Sequence, residues 1–273
     1  TLGSNNTMVL SSSDYVGTEG NDDFASAKSI SIIDRITHGS FVTTLGYRHE
    51  DVDYWESTDG TPGTPQENSQ SMIAASTVYD MGNGQSAFAA YSQGYMPTGV
   101  SSQEPEESDN YEIGYRASTM NTYMEIIGFH IDYDRLQETC NIAAGCADSS
   151  NEAKNAGEAH VTGLEFIYRV NNLFAAPAMK GADNVGSGIR YPLVISATLQ
   201  EAEHDVTTGS SIADGARIAY TPEEIYYVSF GAETNSWDWQ LSAKYNDEVY
   251  NKGVSTAAKT ESAWIYDFRS GMQ

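Results

Sequence analysis

The chain has 273 residues, 40% of them hydrophobic and 11% aromatic, enough for one large all-β unit. Its 38 acidic against 14 basic side chains leave a formal charge of -24, which excludes a nucleic-acid partner, because phosphate binding needs clustered Lys and Arg. No run approaches the roughly 18–20 consecutive apolar residues of a spanning helix, so any membrane crossing is made by strands.

Residues 1–26 are polar and rich in Gly, Asn and Asp, and read as a loop preceding a β domain over 27–273. The first residues carry no initiator Met, basic segment or apolar core, so no signal peptide is expected, and the chain reads as mature or as a fragment. About eleven strands follow. The first pair, 28–37 and 41–55, turns at His38-Gly-Ser40. The second, 71–81 and 86–96, turns at Gly82-Asn-Gly-Gln85, where Asn-Gly supplies the positive φ angles of a hairpin. The third, 110–117 and 123–138, turns at Ser118-Thr-Met-Asn121. The fourth, 159–170 and 190–203, is separated by a Gly- and Ala-rich insertion over 171–188. The fifth, 225–233 and 237–250, turns at Thr234-Asn-Ser236, and a last strand starts at 264.

The links between pairs, 57–70, 97–109, 141–158, 205–224 and 251–262, are long and acidic. Short turns alternating with long loops are the pattern of a transmembrane barrel, and several strands exceed the ten residues that cross a bilayer at a tilt. The faces point the same way. Trp237, Trp239, Leu241, Ala243 and Tyr245 alternate with Asp238, Gln240, Ser242, Lys244 and Asn246. Tyr111, Ile113 and Tyr115 oppose Glu112, Gly114 and Arg116, and Leu164, Phe166, Tyr168 and Val170 oppose Gly163, Glu165 and Arg169. In 123–134 the same reading sends Ile127, Phe129, Ile131 and Tyr133 to lipid and Gly128, His130, Asp132 and Asp134 to the lumen. Charges on the inner face suit a water-filled lumen and would be costly in the dry core of a sandwich.

Cys140 and Cys146 are the only cysteines and share one polar segment with no His or second Cys pair beside them. That fits a small disulfide better than a zinc site, and implies an oxidising compartment.

Two strings are more specific. Ser86-Ala-Phe-Ala-Ala-Tyr-Ser-Gln-Gly-Tyr-Met-Pro97 and Glu104-Pro-Glu-Glu-Ser-Asp-Asn-Tyr-Glu-Ile-Gly-Tyr-Arg116 together resemble the barrel of TonB-dependent outer-membrane receptors, the siderophore receptor family. Gly128-Phe-His-Ile-Asp-Tyr133, the Gly157…Gly163-Leu-Glu165 segment and Gly46-Tyr-Arg48 are similar to further strand motifs of that family. Within it the chain looks closest to the ferric-citrate type, through the Cys pair after Asp132-Tyr133 and through Ala219-Tyr-Thr-Pro222. Gly94-Tyr-Met-Pro97 departs from the string of the haem receptors.

The resemblance implies an all-β, antiparallel transmembrane β-barrel, with about eleven strands of the family's 22 and neither plug nor TonB-contacting box. The chain is therefore expected to be a C-terminal barrel fragment; an open half-barrel leaves edges that lipid does not tolerate. It also implies the outer membrane of a Gram-negative bacterium, a ferric chelate as ligand, and the TonB complex as partner through the missing plug. No ligand-contacting residue follows from it, although Arg135 and Lys252 are the bases nearest the expected outer rim.

Chemistry beyond transport has little to stand on. His130, Asp132 and Asp134, with His49, Asp51 and Asp53, could form an acid–base site, but such groups recur on every inner face and read as an ordinary polar wall. No Gly-x-Ser-x-Gly, His-Glu-x-x-His or phosphate loop is present, and no cofactor is implied. Asp22, Asp23, Asp59, Glu104, Glu106 and Glu107 lack EF-hand spacing and read as solvated loops. Glu112 and Arg116 are expected to pair. Trp55, Trp237, Trp239 and Trp264 read as interface anchors. The rival readings are a passive porin or barrel-anchored adhesin, a barrel hydrolase and a soluble acidic sandwich.

Overall fold

The computed structural model describes residues 3–14, 22–58, 61–62, 64–98, 104–140, 152–155, 157–174, 188–207, 214–250 and 259–272. These form β1 (Gly3–Asp14), β2 (Asp22–His38), β3 (Phe41–Thr58), β4 (Thr61–Pro62), β5 (Gln66–Gly82), β6 (Gln85–Met96), β7 (Glu106–Ser118), β8 (Thr122–Asp134) and β9 (Gln137–Cys140). Then come β10 (Glu152–Asn155), β11 (Gly157–Val170), β12 (Leu193–Thr207), β13 (Glu224–Glu233), β14 (Trp237–Asn246), β15 (Val249–Tyr250), β16 (Lys259–Thr260) and β17 (Ala263–Met272). One antiparallel sheet runs β1-β2-β3-β5-β6-β7-β8-β11-β12-β13-β14-β17, with the two-residue β4 beside β3. Every main strand thus lies beside its neighbour in sequence, the up-and-down order of a barrel wall.

The eleven expected strands are those from β2 to β17 along this path, and β1 is a twelfth. It takes much of the segment read as a polar loop and pairs with β2 from Gly3↔Thr37 to Asp14↔Ser26. Ser, Asn and Gly disfavour strand locally, but backbone pairing to a long neighbour overrides that preference. Asp22 and Asp23 open β2, so they begin a strand where a loop was expected.

Other boundaries move for identifiable reasons. Arg135, at φ 56°, turns the chain out of β8, so 137–140 joins the separate β9–β10 hairpin. The strand expected over 237–250 stops at Asn246, and Val249–Tyr250 pairs with Lys259–Thr260 as a second small hairpin. The strand expected from 190 starts at Leu193, after Pro192, which cannot donate to a ladder. At the short end, Asn83 (φ 54°) and Gly84 (φ 75°) make the expected two-residue hairpin turn.

Register defines two faces, because directly paired residues point the same way. One face is apolar through its middle. It carries Phe41, Leu45 and Tyr47 of β3, Tyr111, Ile113 and Tyr115 of β7, and Leu164, Phe166 and Tyr168 of β11. It continues through Leu199, Val228, Leu241 and Phe268. Ile113 is 68% exposed, Leu164 51% and Leu241 53%, so this sheet does not bury its greasy side against the chain itself. The opposite face is dominated by small and polar residues such as Ser76, Ser92, Glu112, Glu165, Thr198, Ser229, Gln240 and Asp267. Apolar outside and polar inside is the arrangement of a transmembrane barrel.

Expectation fails for β8. Gly128, His130 and Asp132 pair with Ile113, Tyr111 and Asp109 on one side, and with Leu164, Thr162 and His160 on the other. They therefore belong to the apolar face, while Ile127, Phe129, Ile131 and Tyr133 lie on the polar face with Glu112, Gly114 and Glu165. Both rows of β8 mix apolar and polar residues, Met124 and Ile126 sharing a row with His130 and Asp132, and Glu125 sharing one with Ile127 and Phe129, so alternation within the strand is ambiguous. The two neighbouring strands decide the register, and a one-residue slip would turn every side chain over.

Candidate functional site

Two regions can meet a solute in such a wall: the polar face lining the lumen and the rim that carries the long loops. On the polar face near the short turns, Arg116 of β7 pairs with Glu125 of β8. The Arg116 guanidinium also lies 4.4 Å from the centre of the Phe88 ring, and the Tyr123 hydroxyl donates to Glu125 at 3.0 Å. Gly114 makes room for this group, because a Cβ there would run into the Phe88 ring and stand 2.9 Å from the Ile126 carbonyl. The expected Glu112–Arg116 pair is not formed. Four residues along a strand span about 13 Å, whereas Glu125 is the direct cross-strand partner of Arg116. Glu112 and Glu165 instead flank Phe129 and Ile127 across the lumen face.

At the long-loop end, the Asn68 amide donates to the Thr98 carbonyl at 3.0 Å and accepts from the Thr98 N–H at 3.2 Å. Both residues are buried. This amide clamp fixes the chain just after the Gly94-Tyr-Met-Pro97 string and was not legible in sequence, because Asn68 lay inside an expected loop. Arg135 is the second anchor. Its guanidinium meets Glu107 at 2.7 Å, Asp134 at 2.6 Å and Glu104 at 3.5 Å, and its Nε donates to the Pro105 carbonyl at 2.8 Å. Charge-assisted bonds of this kind are strong, so Arg135 is a loop tether here, committed to carboxylates. Beside it, Glu106 accepts the Gln137 N–H at 2.8 Å; burial raises its carboxyl above the ordinary range, and that hydrogen bond opposes the shift.

Tyr220 projects from the same rim. Its backbone is left-handed at φ 58°, its N–H donates to the Tyr250 carbonyl at 2.8 Å, and its side chain is 71% exposed. A bulky residue held there at positive φ is unusual, and it sits within Ala219-Tyr-Thr-Pro222. Nearby, Arg217 meets Glu223 at 2.8 Å, and Lys259 meets Glu248 at 2.6 Å, which raises the lysine's pKa.

The imagined acid–base site is not assembled. His49, Asp51 and Asp53 are on β3, and His130, Asp132 and Asp134 are four places away along the sheet on β8. Moreover His130 and Asp132 lie on the outward face, above the apolar belt. His130 Nε2 is 2.8 Å from Asp132 and its Nδ1 is 2.6 Å from the Thr162 hydroxyl; His49 is 3.4 Å from Asp51. Among the described residues no group of three His, Cys, Asp or Glu is arranged to hold a metal ion. Cys146, Asp59 and Lys252 lie outside the described residues, and Cys140 closes β9 with only its backbone described, so the Cys140–Cys146 bridge remains an expectation.

Aromatic rings form two girdles on the outward face. Towards the long loops are Tyr91–Tyr111 (centroids 5.2 Å), Tyr226–Tyr245 (5.7 Å) and Tyr245–Trp264 (5.2 Å). Towards the short turns are Phe41–Tyr79 (4.8 Å) and Phe230–Trp239 (5.7 Å). Trp237, Trp239 and Trp264 thus occupy anchor positions, whereas Trp55 stands eight residues beyond Tyr47 on β3, past the upper girdle.

The fold has close likenesses among solved structures. The ferric yersiniabactin uptake receptor FyuA from Yersinia pestis matches with a TM-score of 0.65 at 19% identity, covering 100% of this chain and 43% of that one. The ferric citrate transporter FecA matches at 0.68 and 16%, covering 91% and 37%. BauA, the ferric preacinetobactin receptor from Acinetobacter baumannii, matches at 0.65 and 16%, covering 91% and 36%. The chain therefore spans about two fifths of the length of these structures. No curated protein matches it in sequence. The family model described as TonB dependent receptor-like, beta-barrel matches residues 2–272. With an up-and-down antiparallel wall, a greasy outer face and a polar lumen, this chain belongs to the TonB-dependent receptor β-barrel family.

Proposed function

We propose that this chain forms part of the barrel of an outer-membrane receptor that imports ferric chelates into the periplasm with energy supplied through TonB. The observation that carries the reading is the family match along 2–272 together with the polar lumen face. The similar folds of a ferric yersiniabactin uptake receptor, a ferric citrate transporter and a ferric preacinetobactin receptor support the chelate class. In this reading the chelate is met at the long-loop rim, where Asn68–Thr98 and Arg135 hold the loop bases and Tyr220 offers an exposed ring. The lumen face, with Glu112, Glu165 and the Arg116–Glu125 pair, lines the route inward.

Ferric citrate is the first ligand to test, on the strength of Ala219-Tyr-Thr-Pro222 and the Cys140–Cys146 loop. The rim bases described here already serve carboxylates, so an anionic chelate would draw its donors from elsewhere. The test is uptake of radiolabelled iron by the full-length protein in a receptor-deficient strain, with ferric citrate and neutral and cationic chelates compared. Uptake that disappears without TonB is expected. Equal uptake with and without TonB would favour a passive pore, and no uptake of ferric citrate would remove that subtype.

A further inference from the structure

We propose that the connection between β11 and β12 is an interfacial foot, which seats Phe174 and Tyr191 among the phospholipid head groups of the leaflet at the short-turn end. The foot rests on the membrane placement proposed above. One register row shows why the wall needs it. The row Phe41↔Tyr79↔Ala87↔Tyr115↔Ile126↔Phe166↔Ala197↔Tyr226 leaves the lower girdle on β3 and β5 and arrives in the upper girdle on β13. Barrel strands tilt, so a row perpendicular to them climbs across the belt. On β14 the girdle rings Tyr245 and Trp239 are six residues apart. Six residues below Ala197 on the β12 side is Tyr191, which precedes the start of that strand at Leu193. Val170 and Leu193, the last strand residues here, therefore stop short of the lower edge of the belt.

The connection completes that edge in aromatic rings. Trp239 meets Phe230 at 5.7 Å between centroids, Phe230 stacks on Tyr191 at 6.3 Å, and Tyr191 meets Phe174 edge-on at 5.0 Å. Phe174 is 68% exposed, Leu173 43%, and Met120 in the adjoining turn 65%. Contiguous exposed apolar residues mark an interaction surface, and this one is continuous with the lipid-facing belt.

The backbone selects the occupant. Asn121 Oδ1 accepts the Asn172 N–H at 2.9 Å, and its Nδ2 donates to the Asn172 carbonyl at 3.0 Å. Asn172 Oδ1 accepts the N–H groups of Phe174 and Tyr191, each at 3.3 Å. The Leu173 N–H donates to the Tyr191 carbonyl at 2.9 Å, and the Asn171 N–H to the Asn121 carbonyl at 2.8 Å. Every N–H from Asn171 to Phe174, and that of Tyr191, thus has an acceptor within the chain. A loop in water has no need of this, whereas a segment beside lipid does. A protein partner adding a strand would instead be met by free backbone groups. Aromatic rings over a satisfied backbone suit the head-group region, where amphipathic rings anchor membrane proteins.

The test places the photocrosslinker p-benzoylphenylalanine at position 174, and separately at 164 in the middle of the belt, in the full-length protein. Intact cells are irradiated and the adducts are read by mass spectrometry. A phospholipid adduct at 174 and a lipid adduct at 164 are expected. A lipid adduct at 164 with a protein adduct at 174, or with none there, would overturn the foot and leave the membrane placement standing. Absence of a lipid adduct at 164 would refute that placement, and the foot with it. Asn121→Ala, which removes the amide that holds Asn172, should abolish most of the adduct at 174 and spare the one at 164. In a separate titration of folding into phospholipid vesicles, Phe174→Ser should lower the folding equilibrium constant by about tenfold. An unchanged constant would contradict insertion of the ring.

Discussion

Tyr111 and His130 stand directly opposite one another in β7 and β8, with ring centroids 6.3 Å apart on the outward face. His160 follows 6.0 Å beyond His130. A girdle that begins with Tyr91 and Tyr111 is thus continued by two imidazoles, and the acidic residues beside them, Asp132 and Asp205, face outward as well. This pairing reverses the reading that sequence alternation suggests for β8, and it makes the orientation of that strand testable.

Ile126 and Ile127 are adjacent yet face different media. Ile126→Arg places a charge in the apolar belt and should cost about 2–4 kcal/mol of folding stability, whereas Ile127→Arg on the lumen face should cost well under about 1 kcal/mol. Urea titration of folding into lipid vesicles measures both. A larger loss from Ile127→Arg would restore the original orientation.

Asp34 lies on the outward face between Ile32 and Ile36, directly opposite Leu45, and one of its carboxylate oxygens is buried without a hydrogen bond among the described residues. An ionisable group in such a belt is costly. Asp34→Leu should stabilise the barrel by about 1 kcal/mol, read in the same titration; destabilisation would reveal a partner for this carboxylate.

Gly114 is required by the Phe88–Arg116 stack. Gly114→Val should destabilise by about 1–3 kcal/mol through overpacking, and Phe88→Ala in the same chain should recover part of the loss. Additive losses would show that the two sites do not touch.

Glu106 links β7 to Gln137 at the rim. Its carboxyl is raised in the folded state, chiefly by burial, so the folded protein holds the proton more tightly than the unfolded chain. Its contribution is fully present below the ordinary carboxyl value and is lost as pH rises through the raised one. Hydrogen exchange around 106 and 137 should therefore speed up across that window, and Glu106→Gln should flatten the change.

What the sequence makes legible is what a single strand or turn specifies by itself. Asn83-Gly84 demands a hairpin, Tyr111-Ile113-Tyr115 and Trp237-Trp239-Leu241 each declare a face, and the Glu104 to Arg116 string points to the family. What is hidden depends on neighbours. β1 is held by backbone pairing that Ser and Asn do not advertise, and both rows of β8 mix apolar and polar residues, so only β7 and β11 can orient it. The rim shows the same limit. Asn68 and Arg135 gain their roles from Thr98, Glu104 and Glu107, residues brought close by the meander and distant or inconspicuous in the chain.

The central claim, that this wall turns the Ile113–Gly128–Leu164 row to lipid and the Glu112–Phe129–Gly163 row to the lumen, is tested most directly by spin-label accessibility in the reconstituted full-length protein. Labels placed singly at 111 to 115, 126 to 130 and 162 to 166 should alternate, with positions 113, 128 and 164 accessible to oxygen dissolved in the bilayer and 112, 129 and 163 shielded from it. Accessibility in the opposite phase, or with no period of two, would contradict the account.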